Sequence, residues 1–144
     1  MSEAARLYTP ELLAAAVELA QYPPLGAASL HGEARAKTCG STIALDLTTS
    51  PDGRIDRLGM RVRACAVGQA SAALFARQAP GLTQGEIEAA HDAMTAWLAD
   101  NAPQPDWPGL DLIAPARDYP ARHGAMLLPW KAALAALSSA PASG

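Results

Sequence analysis

Two cysteines, Cys39 and Cys65, are the residues of this sequence best suited to chemistry, and 26 positions separate them. Their thiolates are good ligands for iron and zinc, and as nucleophiles they can also accept sulfur. In a reducing compartment, a pair of cysteines more often forms a metal or redox site, or packs inertly in the core, than a structural disulfide. The chemistry therefore depends on whether the fold brings the two sulfur atoms together.

The stretch between the cysteines has the pattern of a β-hairpin. Apolar residues alternate with smaller or polar ones over residues 43–47 and again over residues 58–62. A period of two is typical of strands that bury one face. Between these stretches, Ser50-Pro51-Asp52-Gly53 combines a proline, an acid and a glycine in an order that favours a tight turn.

Two registers of this hairpin compete, and the apolar pattern distinguishes them. If Ser50 faces Arg54, the apolar residues of the first strand share a face with arginines of the second. If Ser50 faces Ile55, one face is uniformly apolar. The cross-strand pairs are then Ile43 with Val62, Leu45 with Met60, and Leu47 with Leu58. Burial of such side chains, at about 1.5 to 3 kcal/mol each, favours the second register.

The favoured register places both cysteines at the open end of the hairpin. Gly40 is expected opposite Cys65, and Cys39 lies one residue further along. Cross-strand neighbours in such positions have Cβ atoms about 5 to 8 Å apart, and a small rearrangement or a bridging metal can close that gap. The hairpin therefore predicts that the two thiols are diagonal neighbours.

Cys65 is also expected to lose its proton easily. Residues 66–78 are rich in small residues and predict a helix that begins beside Cys65. The positive end of the helix dipole, with Arg61 and Arg63 nearby, favours the thiolate. The alternative is that both cysteines are inert packing residues, because free cysteine is often buried. We favour a functional pair, since both lie at loop ends that converge.

The remaining elements complete an α+β fold. The pattern predicts helices over residues 10–21, 83–98 and 125–137, and a more polar strand over residues 29–37. We expect a three-stranded antiparallel sheet with helices packed against one face. Residues 1–137 would form a single domain, and residues 138–144 a flexible tail.

The composition limits the classes of partner. The formal net charge is −3, with acids and bases interspersed, which gives no drive for general nucleic-acid binding. The apolar stretches are too short and interrupted to cross a bilayer, and the first residues lack the pattern of a secretory signal. We therefore expect a cytoplasmic protein that binds neither nucleic acid nor membranes.

Three segments of the sequence carry a resemblance to a known family. They are Cys39-Gly40-Ser41 before a strand, the Pro51-Asp52-Gly53 turn, and Cys65 leading into a small-residue helix. With the cysteine spacing and the closing stretch YPARHGAMLLPWKA, they resemble the NifU/IscU/SufU family of iron–sulfur cluster assembly scaffolds. The resemblance covers residues 9–137 and implies an IscU-like fold.

The resemblance implies a scaffold or carrier, and not an enzyme. Cys39 and Cys65 would hold an iron–sulfur cluster, with [2Fe–2S] the expected type, or iron, and zinc is a further possibility. A cysteine desulfurase would supply the sulfur, and recipient apo-proteins would accept the cluster.

The sequence departs from the family pattern at two positions. Ser41 stands where family members commonly have an aspartate, and Ala125, or Gly124 with a one-residue shift, where they have a third cysteine. An iron–sulfur cluster or a zinc ion takes four donors. His123 is next to that position and could be a third metal ligand. Alternatively, two thiolates from each subunit of a homodimer would complete a four-sulfur set.

Two other functions remain open on the sequence. The first is a zinc-bound protein that transfers sulfur or activates a cysteine desulfurase, as one branch of the resembled family suggests. The second is an interaction module that has kept the fold and binds no metal. In that case the substitutions Cys39→Ser and Cys65→Ser would change neither metal content nor partner binding.

Overall fold

The computed structural model describes residues 6–26 and 30–139. The strands are β1 (Leu30–Arg35), β2 (Thr42–Thr49) and β3 (Ile55–Arg63). The helices are α1 (Pro10–Val17), α2 (Ala66–Gln78), α3 (Gln84–Leu98) and α4 (His123–Ser138). Short 3-10 helices span Glu18–Gln21, Leu110–Leu112, Ala114–Asp118 and Pro120–Arg122.

The three strands form one antiparallel sheet in the order β1-β2-β3, which confirms the predicted fold class. Alternation along β2 buries Ile43, Leu45 and Leu47, each at most 2% exposed. Helix α4 packs against β1 and β2, while α2 packs against β3, α1 and α4. The helices thus cover the apolar face that a period of two creates.

The hairpin between β2 and β3 uses both of the competing registers. Its strands pair as the apolar pattern predicted, from Thr42 with Arg63 to Thr48 with Arg57. Beyond a shift, Thr49 pairs with Ile55, and the Ser50 N–H donates to the Arg54 carbonyl at 2.8 Å. The expected pairing of Ser50 with Ile55 is therefore wrong.

The physical reason is a conflict between the turn and the strands. The turn closes tightly, with Gly53 N–H donating to the Ser50 carbonyl at 2.9 Å and Gly53 at φ +83°. Apolar burial in the strands requires the other register. Asp56 is the extra residue of a β-bulge that joins the two registers.

The helix boundaries agree with the sequence except at the end of α1 and around α4. The predicted helix over residues 10–21 is an α-helix to Val17 and a 3-10 helix over Glu18–Gln21. Thr83 and Glu86 form a capping box at the start of α3. Helix α4 begins at His123, two residues before the predicted start, so Pro129 lies inside the helix and not in its first turn. The helix also includes Ser138, the first residue of the predicted tail, and residues 140–144 lie outside the described part of the chain.

An aromatic cluster and an ion pair fix α2 in the core. Phe75 meets Trp130 edge to face at 5.4 Å between ring centroids and stacks on Trp107 at 5.7 Å. In the last turn of α2, Arg77 donates to both oxygens of Glu18, at 2.8 and 2.6 Å. This hydrogen bonding lowers the pKa of Glu18, against a smaller opposing effect of desolvation.

None of the helices in the described ranges is long and apolar enough to span a bilayer.

Candidate functional site

Cys39 lies in the turn between β1 and β2, where its side chain is exposed. The turn is closed by the Gly40 N–H donating to the Ala36 carbonyl and the Ala36 N–H donating to the Ser41 carbonyl, both at 2.8 Å. Gly40 has φ +71°, a left-handed conformation that glycine adopts without strain. The chain thus leaves strand geometry beside Cys39.

The thiol of Cys39 has one polar neighbour that the sequence did not identify. The Ser41 hydroxyl lies 3.0 Å from Cys39 Sγ, and Ser41 is only 5% exposed. A hydroxyl and a thiol can each donate, so either atom could be the donor of this hydrogen bond. The sequence feature that could have indicated this contact is the position of Ser41, two residues after Cys39.

Cys65 is the N-cap residue of α2, which confirms its predicted place at a helix start. Its carbonyl accepts from the Gln69 N–H at 3.0 Å, and its side chain makes no capping hydrogen bond. The residue is half-buried, so its thiol is less accessible than that of Cys39. The α2 N-terminus places the positive end of the helix dipole at this thiol.

The two cysteine segments both contact one stretch of chain, residues 121–126. On the Cys39 side, the Thr38 hydroxyl donates to the Ala121 carbonyl at 3.1 Å. On the Cys65 side, the Ser71 hydroxyl of α2 donates to the Met126 carbonyl at 2.6 Å. At the end pair of the β2–β3 ladder, Thr42 with Arg63, Cys39 lies three residues before Thr42 and Cys65 lies two residues after Arg63. The fold therefore brings them to the same end of the sheet.

The positions where the resemblance places a third cysteine lie between these two segments. A methyl group on Gly124 would lie 3.0 Å from Ala36 Cβ and 3.8 Å from Thr38 Oγ1. On the other side, a methyl group on Gly68 of α2 would lie 3.4 Å from Ala125 Cβ. This chain has no donor side chain at either position.

His123 lies within residues 121–126, where it begins α4, and is half-buried. Its Nε2 lies 2.7 Å from the Arg117 carbonyl oxygen. Because a carbonyl oxygen only accepts, Nε2 carries the hydrogen, and Nδ1 is the nitrogen left to bind a metal. Over residues 6–26 and 30–139, no three His, Cys, Asp or Glu side chains form a ready-made metal site.

A small cavity of about 280 Å³ opens beside Cys39, lined by that residue and by Asp118–Arg122. Arg6 contacts two of these lining residues. Its Nη2 lies 3.2 Å from Asp118 Oδ2, and its guanidinium lies 5.8 Å from the centre of the Tyr119 ring. Sequence reasoning did not identify these lining residues as part of a site. The sequence feature that could have identified them is the resemblance of the closing segment, which begins at Tyr119, to the family's C-terminal stretch.

Comparisons with known proteins agree with this geometry. The structure matches a nitrogen-fixing NifU-like protein (N-terminal) from Brucella abortus with a TM-score of 0.85 and 32% identity, over 95% of this chain and 96% of that chain. It also matches a putative iron–sulfur cluster assembly scaffold protein for the SUF system from Fervidobacterium islandicum AW-1, with a TM-score of 0.81 and 20% identity, over 94% and 99%. No protein-family model and no curated protein sequence matches significantly.

The three-stranded antiparallel sheet with helices on one face matches the NifU-like neighbour in fold. The similarity extends over nearly the whole of both chains. The chain belongs to the NifU/IscU/SufU-like family.

Proposed function

We propose that this protein is a scaffold or carrier that binds an iron–sulfur cluster, or iron, through Cys39 and Cys65 and passes it to recipient apo-proteins. The observation that carries the proposal is the shared contact of both cysteine segments with residues 121–126 at one end of the sheet. Thiolates are the usual ligands of such clusters. The role is binding and transfer, not catalysis.

His123 is the proposed third ligand, through Nδ1. Its Nε2–H bond to the Arg117 carbonyl would hold the ring in the tautomer that leaves Nδ1 free to bind. A modest movement of the start of α4 or of the Cys39 turn would have to accompany binding, because the three donors are not assembled beforehand. The sulfur would come from a cysteine desulfurase, the donor that the family resemblance implies.

Anaerobic reconstitution with ferrous iron and sulfide tests this function. We expect the wild-type protein to gain visible absorption and bound iron, and Cys39→Ser and Cys65→Ser to lose both. His123→Ala should bind iron more weakly, by about 10- to 100-fold if the ring is a ligand or supports one. His31→Ala is the matched control, since His31 lies on the sheet and pairs with Asp46. Unchanged iron binding by Cys65→Ser would contradict the cysteine pair.

The iron content per chain also distinguishes a cluster held by one chain from one shared by two chains. A [2Fe–2S] cluster held by one chain gives about two irons per chain, and one shared by a homodimer through four thiolates gives about one. Native mass spectrometry of the loaded protein gives the number of chains per cluster.

A second candidate is zinc-bound sulfur transfer or activation of a cysteine desulfurase. The exposure of Cys39 beside an open cavity favours it, because an acceptor thiol must be reachable by a sulfur donor. Zinc takes thiolate and imidazole ligands in a tetrahedral set. Colourless protein that contains zinc and does not reconstitute with iron and sulfide would support this function over the first.

A further inference from the structure

The face of the sheet that points away from the helices carries three arginines at the cysteine end. Cross-strand pairing aligns Arg35, Thr42 and Arg63 in one row, and Glu33, Ala44 and Arg61 in the next. Directly opposed residues share a face, and these alternate with the buried residues of β2. This outer face therefore brings three positive side chains and one negative side chain together. We call these two rows the arginine face.

The other end of the same outer face is covered by the chain itself. Segment Tyr22–Leu25 lies over it, with the Met60 N–H donating to the Tyr22 carbonyl at 2.9 Å and the Leu25 N–H to Asp46 Oδ2 at 3.1 Å. The approach is so close that a methyl group on Gly59 would lie 1.9 Å from the Pro23 carbonyl oxygen. Glycine is required there because of this cover.

Within the described residues, the chain borders the arginine face on one side only, where Pro24 and Gly26 line a hollow together with Glu33, Ala44 and Arg61. The residues of the arginine face line an open concavity of about 680 Å³. Thr42 and Ala44 are half-buried at its floor, and the three arginines are exposed around them.

The three arginines also lack the partners that other arginines of this chain have. Arg6, Arg54, Arg77 and Arg117 each form an ion pair with a carboxylate. In the described part of the chain, no ion pair or hydrogen bond engages the side chains of Arg35, Arg61 or Arg63. Like charges gathered on one face repel one another, and an anionic surface laid on them relieves that repulsion.

We propose that the arginine face docks the acidic surface of a partner protein. The whole chain carries a net charge of −3, whereas the arginine face is locally positive. This difference in charge would orient an acidic partner toward the arginine face. Because the row of Arg35, Thr42 and Arg63 adjoins the end of the sheet that carries the cysteines, the partner would lie next to them. The proposal does not require that a cluster or metal be bound.

The probe is a short peptide of alternating glutamate and alanine, titrated into the full-length metal-free protein and followed by NMR. We expect amide shifts centred on Thr42, Ala44 and Arg61, and no shifts there with a matched peptide in which glutamine replaces glutamate. Arg61→Gln/Arg63→Gln should weaken binding about tenfold, from the loss of two exposed charge pairs. The control Arg57→Gln/Lys131→Gln removes the same charge outside the arginine face and should stay within about twofold.

Absent shifts, shifts spread over all cationic residues, or equal weakening by the two double variants would each overturn the proposal. Circular dichroism of both variants checks that the sheet is retained. Iron analysis after reconstitution tests cluster binding separately. The docking proposal and the cluster proposal can therefore fail independently of each other.

Discussion

The two cysteines of this protein lie on supports of different kinds. Cys39 lies in an exposed turn of a few residues, held by local hydrogen bonds and a left-handed glycine. Cys65 begins a helix whose residues are largely buried between the sheet, α1 and α4. A site built in this way has one thiol placed by the core and one that local changes in a turn can reposition. The predictions below test that difference.

The largest effect is expected from crowding the helix that supports Cys65. A side chain at buried Gly68 would bring its Cβ within 2.7 Å of Ala64 Cβ. Gly68→Val should lower the free energy of unfolding by about 2 kcal/mol, the cost of overpacking a close contact. Urea unfolding followed by circular dichroism measures it. Gly85→Ala in α3 is the control, because the space there is open and stability should hold or rise. Equal stability of the two variants would contradict a tightly packed support.

The next effect concerns the reactivity of the two thiols. With iodoacetamide, the single-thiol variant Cys65→Ser should react at Cys39 about ten times faster than Cys39→Ser reacts at Cys65. The reason is that Cys39 is exposed and Cys65 is half-buried. Mass spectrometry over time gives both rates. The reverse order would show that the helix N-terminus outweighs exposure.

A smaller effect is expected from the turn that holds Cys39. Gly40 has φ +71°, and no atom would lie within 4 Å of an added Cβ, so the cost of a side chain there is conformational. Gly40→Ala should lose about 1 kcal/mol of unfolding free energy, and Gly40→Asn less, because asparagine tolerates this conformation better. Urea unfolding of the two variants tests the order. Equal losses would point to a steric cause.

The smallest effect is expected where α2 is tied to Glu18. Because Arg77 lowers the pKa of Glu18 in the folded state, the pair stabilises the fold above the ordinary glutamate value of 4.5 and loses this as the pH falls through the lowered value. Glu18→Gln should cost up to about 1 kcal/mol at neutral pH, and progressively less as the pH falls below 4.5. Unfolding measured over this pH range tests this, and a cost that does not shrink as the pH falls would contradict the ion pair.

The sequence predicted most of the fold because the strands bury one face. The apolar pattern of β2 and β3 is sufficient to set their pairing from Thr42 to Thr48. It could not predict the pairing of Ser50, since a tight turn satisfies its own hydrogen bonds and this requirement prevailed over the strand register. The bulge at Asp56 follows from that local competition.

The same apolar pattern predicted that both cysteines lie at one end of the sheet, because the strand register places Cys39 and Cys65 at the open end of the hairpin. The surroundings of His123 were not, since its bond to the Arg117 carbonyl depends on the path of the 3-10 helices over residues 114–122. Such short segments have no periodicity that a sequence reveals. The contact between Ser41 and Cys39 depends similarly on the local shape of one turn.

The bulge at Asp56 also makes the tip of the hairpin tolerant of changes in length. The misfit between turn and strands ends at this residue, and Pro51–Arg54 are exposed. Extra residues inserted there would extend into solvent without disturbing the ladder from Thr42 to Thr48. The tip is therefore a good place to attach a fluorescent label or an affinity tag, as far along the hairpin from both sulfur atoms as the sheet allows.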